Sequence, residues 1–191
     1  MSGTSLPVDF PMDSAQGIRM LVLDVDGVLT DGSIIMDHAG EEWKAFNVRD
    51  GHGIKLLQRA GIQVGILTGR TSDVVASRAR DLGIEGVVQG SLDKSAGLDE
   101  LLAQTGISEK DCAYMGDDVL DLPPMRRCAL GFAPKDAHAS VLKLADWVST
   151  FNGGRGAVRQ VAEGLLLASD AWQRIVQDPY GVSAGDCGWS G

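Results

Sequence analysis

Met20-Leu21-Val22-Leu23-Asp24-Val25-Asp26-Gly27-Val28-Leu29-Thr30 is the stretch that decides the fold. The apolar run from Ile18 to Leu23 is rich in Leu, Val and Ile and reads as a buried strand of a parallel sheet. Burial makes charge costly, so Asp24 and Asp26 at its carboxyl end point to a cation or a reaction. In an open α/β sheet, ligands bind at that end.

Working outward, further strand-like runs alternate with helical patterns. The strands are expected at Gln63 to Leu67, Gly86 to Gln89, Cys112 to Met115, Cys128 to Phe132 and Trp147-Val148. Helical spacing links Ile54, Leu57 and Gln58, then Val74, Val75, Arg78 and Leu82, then Leu98, Leu101 and Leu102. Thr71 or Ser72 suits an N-cap and Gly83 a C-terminal stop. This alternation implies right-handed crossovers and a doubly wound, Rossmann-like parallel sheet of the α/β class. One stretch departs from it. Ser33 to Met36 and Trp43 to Val48 are β-like runs around a polar, Gly-containing turn, and read as a hairpin flap over about 33–48. An isolated hairpin is marginal and must pack on something, either its own domain or another subunit.

A chain of 191 residues fits one domain with short tails: residues 1–17 as a loose N-terminal tail, 18–168 as the folded domain and 169–191 as a C-terminal tail. Cys112, Cys128 and Cys187 are odd in number and have no CxxC spacing, which argues against a disulfide framework or zinc site and fits a cytoplasmic location. No signal-peptide pattern and no membrane-spanning run are read, so no membrane partner is expected. A formal net charge of -9 argues against nucleic acid. An acidic protein that handles an anion must concentrate its cations locally, so the placement of Lys and Arg matters.

Polar groups recur at the strand ends: Asp24 and Asp26, Thr68, Lys94, and Asp117 with Asp118. A parallel sheet brings these ends to one edge. A carboxylate there can attack phosphorus and split one hard displacement into two steps. A second, two residues on, can pass a proton to the leaving oxygen and take one from water. Magnesium favours oxygen ligands, which suits Asp24 and Asp117. The Thr68 hydroxyl and the Lys94 ammonium can bind phosphoryl oxygens. Singly, each residue has an ordinary structural explanation as a cap, a turn or a solvated side chain; their joint order along the strand ends does not.

Asp24 to Gly32, Leu67-Thr68-Gly69-Arg70, Lys94, and Gly116-Asp117-Asp118-Val119-Leu120-Asp121 together resemble the motifs of the haloacid dehalogenase superfamily of phosphatases. That resemblance implies Asp24 as nucleophile and Asp26 as general acid/base. It implies magnesium on the Asp24 side chain, the Asp26 backbone carbonyl and the Asp117 side chain, with Asp118 or Asp121 orienting the metal shell. Only 41 residues lie between Asp26 and Thr68 and 25 between Thr68 and Lys94, which leaves no room for a separate cap domain. The site would then be open to water unless a large substrate or another subunit covers it.

Phe46 to Leu57, Gln89 to Lys94 and Gly153 to Arg159 are similar to one family within that superfamily, the 3-deoxy-D-manno-octulosonate 8-phosphate phosphatases of lipopolysaccharide precursor synthesis. This similarity implies a homotetramer assembled through the hairpins, and substrate contacts from Asp26, Asn47, Val48, Arg49, Asp50, Gly51, Lys55, Arg70, Arg78 and Lys94. A sugar acid phosphate, anionic at both ends, needs two cationic clusters. Arg78 reads equally as a solvated helix residue, and Arg155 and Arg159 either close over a ligand or face solvent. His38, His52 and His138 lack ligand spacing and are given no catalytic part. Beyond residue 168 the chain departs from the family; Trp172, Tyr180 and Trp189 would anchor the tail on a neighbour or over a site, or the tail is without fixed structure. Two rival functions stay open: phosphate removal from a nine-carbon sugar acid 9-phosphate, and a non-catalytic oligomerisation module.

Overall fold

The computed structural model describes residues 9–189. In chain order the main elements are α1 (Met12–Ala15), β1 (Met20–Leu23), β2 (Ile35–Met36), β3 (Glu42–Trp43), α2 (Val48–Ala60), β4 (Gln63–Leu67) and α3 (Asp73–Leu82). Then follow β5 (Gly86–Val88), α4 (Lys94–Thr105), β6 (Cys112–Met115), α5 (Leu122–Arg127), β7 (Leu130–Ala133), α6 (Ala139–Leu144), β8 (Trp147–Val148) and α7 (Ala157–Ala168). Six strands form one parallel sheet in the order β5-β4-β1-β6-β7-β8. The doubly wound architecture is as expected. Among the described residues, no helix is long and apolar enough to cross a membrane.

β1 is central, and its side chains divide the core in two. Leu21 and Leu23 pack with Ile54 and Leu57 of α2, Val75 of α3 and Val161 of α7. Met20 and Val22 pack on the other face with Leu98 and Leu101 of α4, Met125 of α5 and Val141 of α6. Both faces are covered, which is why β1 reads as an unbroken apolar run rather than an alternating one. Gly53 lets α2 settle closely on α7: a Cβ there would stand 3.1 Å from the Arg159 Cα.

Several boundaries differ from the expectation. Ile18 closes a turn onto Ala15 and β1 starts at Met20, while Cys128 ends α5 and β7 starts at Leu130. The hairpin is much shorter than 33–48. Only Ile35 pairs with Trp43 and Met36 with Glu42, and Val48 opens α2 with Asn47 as its cap. Packing of the hairpin's apolar side chains on their own domain is not observed, because Ile34, Ile35, Met36 and Trp43 are each more than half exposed.

The tails also differ. Residues 1–8 lie outside the described part, but from Phe10 the chain is folded rather than loose. The Phe10 ring stacks on Phe132 at 5.6 Å and meets Trp147 and Trp189 edge-on at 5.1 and 5.7 Å. The C-terminal segment anchors on its own domain: Trp172, Ile175, Val176 and Trp189 are buried in the core, and the Trp189 Nε1 donates to Glu163 at 3.1 Å. The first and last described segments thus meet in one aromatic cluster beside α7. Phe10→Ala should lower stability by about 3 kcal/mol through the cavity it leaves. For a domain of this size that is a drop in Tm of roughly 6–12 °C by calorimetry; an unchanged Tm would contradict the packing of this segment.

Candidate active site

The pairing of the strands sets the site. Leu23 is level with Ile66 on β4 and Met115 on β6, so Asp24, Thr68 and Asp117 emerge together at the carboxyl edge. The strand order reverses between β1 and β6, which opens a crevice there. A cavity of about 310 Å³ occupies it, lined by Asp24, Asp26, Thr68, Arg70, Lys94, Asp117, Asp118 and Asp121. All the strand-end residues expected of the site therefore share one wall.

Lys94 is the first residue of α4, whose N-cap Asp93 accepts from Ser95 and Ala96 N–H. Its side chain is buried, with Nζ 2.9 Å from Asp24 Oδ1 and 2.5 Å from Asp121 Oδ1. Asp121 is fully engaged. Its Oδ1 also accepts from the Tyr114 hydroxyl at 2.8 Å, and its Oδ2 accepts from Asp117 and Asp118 N–H at 2.9 and 3.1 Å. Asp118 caps the short turn Val119–Asp121 by accepting from Val119 N–H at 2.7 Å.

Burial pushes the Asp24 carboxyl up to about 6, with Lys94 opposing and Asp121 adding to the rise. Burial also pushes Asp117 up to about 8, reinforced by Asp24 and Asp121. For Lys94 burial pulls the ammonium down, but Asp24 and Asp121 outweigh it and the net shift is upward. Burial, then Asp121, holds the Tyr114 phenol well above its ordinary value, so it remains a donor.

The donor set fits a hard divalent cation. Carboxylate oxygens of Asp24, Asp117 and Asp121 lie within 4.8 Å of one another. Asp117 Oδ1 is buried with no hydrogen-bond partner, an orphan acceptor facing like charge. Asp121 belongs to the group by distance only, since its oxygens are already committed to Lys94, Tyr114 and two backbone amides. Asp24 and Asp117 are the side chains left to hold magnesium. Gly27, at φ +93°, completes the cradle, because any Cβ there would run into the Asp117 carboxylate.

The remaining expected contacts lie elsewhere in the chain. Asn47 caps α2 and its Nδ2 donates to Gly154 O at 3.3 Å. Val48 is exposed. Arg49 lines a second cavity of about 410 Å³ with Arg155 and Arg159. Asp50 is buried and accepts from Gly156 and Arg159 N–H at 3.1 and 2.8 Å, so it caps α7. Gly51 makes room for Arg78, which pairs with Asp81 at 2.5 Å and lies 5.7 Å over the Phe46 ring. Lys55 ends beside Gly83, at the far end of α3.

Two contributors were not singled out from the sequence. Tyr114 hides in an apolar strand. Lys44 reaches from the hairpin into the site, where it donates to Asp26 Oδ1 and lies 3.3 Å from Glu42. Glu42 and Lys44 flank exposed Trp43 at i and i+2, so the strand period itself marks them as facing inward.

A family model for haloacid dehalogenase-like hydrolases matches residues 83–161. The 3-deoxy-D-manno-octulosonate 8-phosphate phosphatase of Escherichia coli (strain B / BL21-DE3) is 47% identical over 157 residues, 82% of this chain and 84% of its own. The chain belongs to this phosphatase family of haloacid dehalogenase-like hydrolases. The Yersinia pestis crystal structure of such a phosphatase has a TM-score of 0.83 at 45% identity, covering 86% of this chain and 89% of that one. The Moraxella catarrhalis phosphatase, solved in complex with magnesium, phosphate and KDO, has a TM-score of 0.84 at 38% identity, covering 87% and 96%.

The raised carboxyls give the metal response a sign. Stability from their protonated forms is present below the ordinary carboxyl value of 3.8 and is lost as pH rises through about 6 for Asp24 and about 8 for Asp117. A cation bound in place of those protons removes that loss. Magnesium should therefore raise the Tm of this phosphatase more at pH 8 than at pH 6, read by scanning fluorimetry; a shift of equal size at both would contradict this placement.

Proposed function

We propose that the chain is a magnesium-dependent phosphoric monoester hydrolase that converts 3-deoxy-D-manno-octulosonate 8-phosphate to 3-deoxy-D-manno-octulosonate and phosphate, in lipopolysaccharide precursor synthesis. One observation carries the chemistry: Asp24 stands buried at a strand end, held by Lys94 2.9 Å away, beside the orphan oxygen of Asp117. The family carries the substrate, through relatives 47% identical and a solved neighbour holding magnesium, phosphate and KDO.

The steps follow from the residues. Asp24 attacks phosphorus, forming an aspartyl-phosphate and breaking the bond to the sugar oxygen. Asp26 gives that oxygen a proton, then takes one from the water that attacks the aspartyl-phosphate. Phosphate leaves and the Asp24 carboxylate is restored. Lys94 and Thr68 bind the phosphoryl oxygens, and Lys94 offsets the repulsion between an anionic nucleophile and an anionic substrate. Bound magnesium supplies further neutralisation of the phosphoryl oxygens. The Asp24 and Asp117 side chains and the Asp26 backbone carbonyl would hold it, and the Asp118–Asp121 turn fixes where Asp117 stands.

Arg70 is the substrate contact on the chain's own cavity. Asn47, Val48, Arg49, Lys55 and Arg78 serve a substrate bound at an adjoining copy, or shape the surface it meets, whereas Asp50 and Gly51 are buried and act only through the packing of α2. The exposed Ile34, Ile35, Met36 and Trp43 are the faces through which four copies assemble and shield the open site. The catalytic domain is the span 18–168, and Phe10 before it and Trp172 and Trp189 after it pack into its core. Work in the cytoplasm agrees with Cys112, Cys128 and Cys187 all being free thiols.

Asp24→Asn should lower kcat by about 10⁴-fold or more, and chelation of magnesium should stop turnover reversibly. Near-normal hydrolysis by that variant would sink the mechanism. The eight-carbon substrate should be preferred over a nine-carbon sugar acid 9-phosphate when rates on the two are compared. Failure to release phosphate from any sugar phosphate in the presence of magnesium would favour a non-catalytic module instead.

Light scattering tests the assembly. The unaltered protein should have the mass of four chains at micromolar concentration, and Trp43→Glu should shift it toward smaller species. A single-chain mass for the unaltered protein would refute this part.

A further inference from the structure

Lys44 is unusual for a hairpin lysine. The hairpin around it is exposed, yet its own side chain is only 1% exposed. Withdrawing an ammonium from water is costly unless anions receive it. Here two do. Nζ donates to Asp26 Oδ1 and lies 3.3 Å from Glu42 Oε1. Arg70 closes the circuit from the other side, with Nη2 2.8 Å from the same Glu42 oxygen and Nε 3.7 Å from Asp26 Oδ2. The result is a ring of alternating charge, two members from the hairpin and two from the sheet edge. Its two contacts to Asp26 are unequal: Oδ1 is hydrogen-bonded, whereas Oδ2 sits beyond hydrogen-bond distance of Arg70.

We infer that Lys44 is a positioning residue for proton transfer: it fixes Asp26 through Oδ1, leaving Oδ2 toward the cavity to carry the proton to the leaving oxygen. The seating of the hairpin thereby governs the chemical step, although the hairpin contributes nothing to the nucleophile. General acid catalysis depends on the acid being held within hydrogen-bond reach of the leaving group. Loss of the Lys44 contact frees Asp26 to rotate, and the alkoxide then departs without its proton.

This rests on the reading of Asp26 as proton donor, and the leaving group distinguishes the two. A sugar alkoxide needs the proton, whereas p-nitrophenoxide is stable without one. The quantity to measure is kcat/KM, which covers binding through departure of the leaving group and excludes the later hydrolysis of the aspartyl-phosphate. Lys44→Met should lose about a hundredfold on 3-deoxy-D-manno-octulosonate 8-phosphate, within the range for general acid catalysis, and at least about tenfold less on p-nitrophenyl phosphate. Glu42→Gln keeps Lys44 but removes its second anchor. It should show the same ratio in smaller measure, and it carries the test if the methionine variant does not fold.

Equal losses on both substrates, or no loss on either, overturn the inference; equal losses would make Lys44 a tether or a phosphate contact. Asp26→Asn is the reference. If it discriminates between the substrates and the other two variants do not, only the inference fails. If Asp26→Asn itself loses equally on both, the reading of Asp26 as proton donor fails.

Discussion

Everything in the crevice depends on the buried ammonium of Lys94 between Asp24 and Asp121. Three carboxylates converge there, and without compensation their burial and mutual repulsion would open the strand ends. Lys94 answers for two of them. The remaining capacity of Asp121 is met by Tyr114 and two backbone amides, so this residue is neutralised and immobile. Asp117 alone is left without a partner on Oδ1. The fold thus concentrates its unmet negative charge at one oxygen beside the nucleophile, where a cation can use it. That division separates the acids: Asp121 is held by its neighbours, Asp117 keeps an unpartnered oxygen, and Asp24 faces Lys94.

The same interaction explains why the sheet is ordered as it is. Lys94 must enter from the crossover after β5, and Asp121 from the turn after β6, while Asp24 ends β1 between them. Neighbouring parallel strands in register bring these three chain segments to one level. A slip of one residue in β1 would turn Asp24 toward the opposite face and leave Lys94 with Asp121 alone.

Much of this was legible because it depends on short-range pattern. β1 is apolar throughout and followed by paired acids, Thr68 and Asp117 sit just past strands that end cleanly, and Lys94 opens the helix that follows β5. What escaped has a physical reason. Phe10, Trp172 and Trp189 pack as isolated aromatics from chain ends; with no period to announce them, their partners are found only in three dimensions. Asp50 lies in a motif with acidic and basic neighbours and reads as a ligand contact, yet its carboxylate is consumed by the α7 N-terminus. Lys44 and Glu42 were obscured by the polar turn beside them, although alternation about Trp43 marks their inward face. The hairpin is shorter than its pattern implies because Phe46 and Val48 continue the apolar alternation, whereas Asn47 already caps α2.

Net charge and local charge therefore play different parts. The chain is acidic overall at -9, and this repels an anionic substrate at long range. At short range cations are set among the acids in stages: Arg70 and Lys44 surround Asp26 at the rim, and Lys94 stands at the floor beside Asp24. The rim cations are paired with Glu42 and Asp26, so they are positioned before any substrate arrives and need little reorganisation when it does. Arg49, Arg155 and Arg159 make a separate basic cavity on the same chain. An open site with its cations divided between two regions gains both charge and shelter if copies of the chain meet there, and the exposed hairpin stands beside the rim where such a meeting would occur.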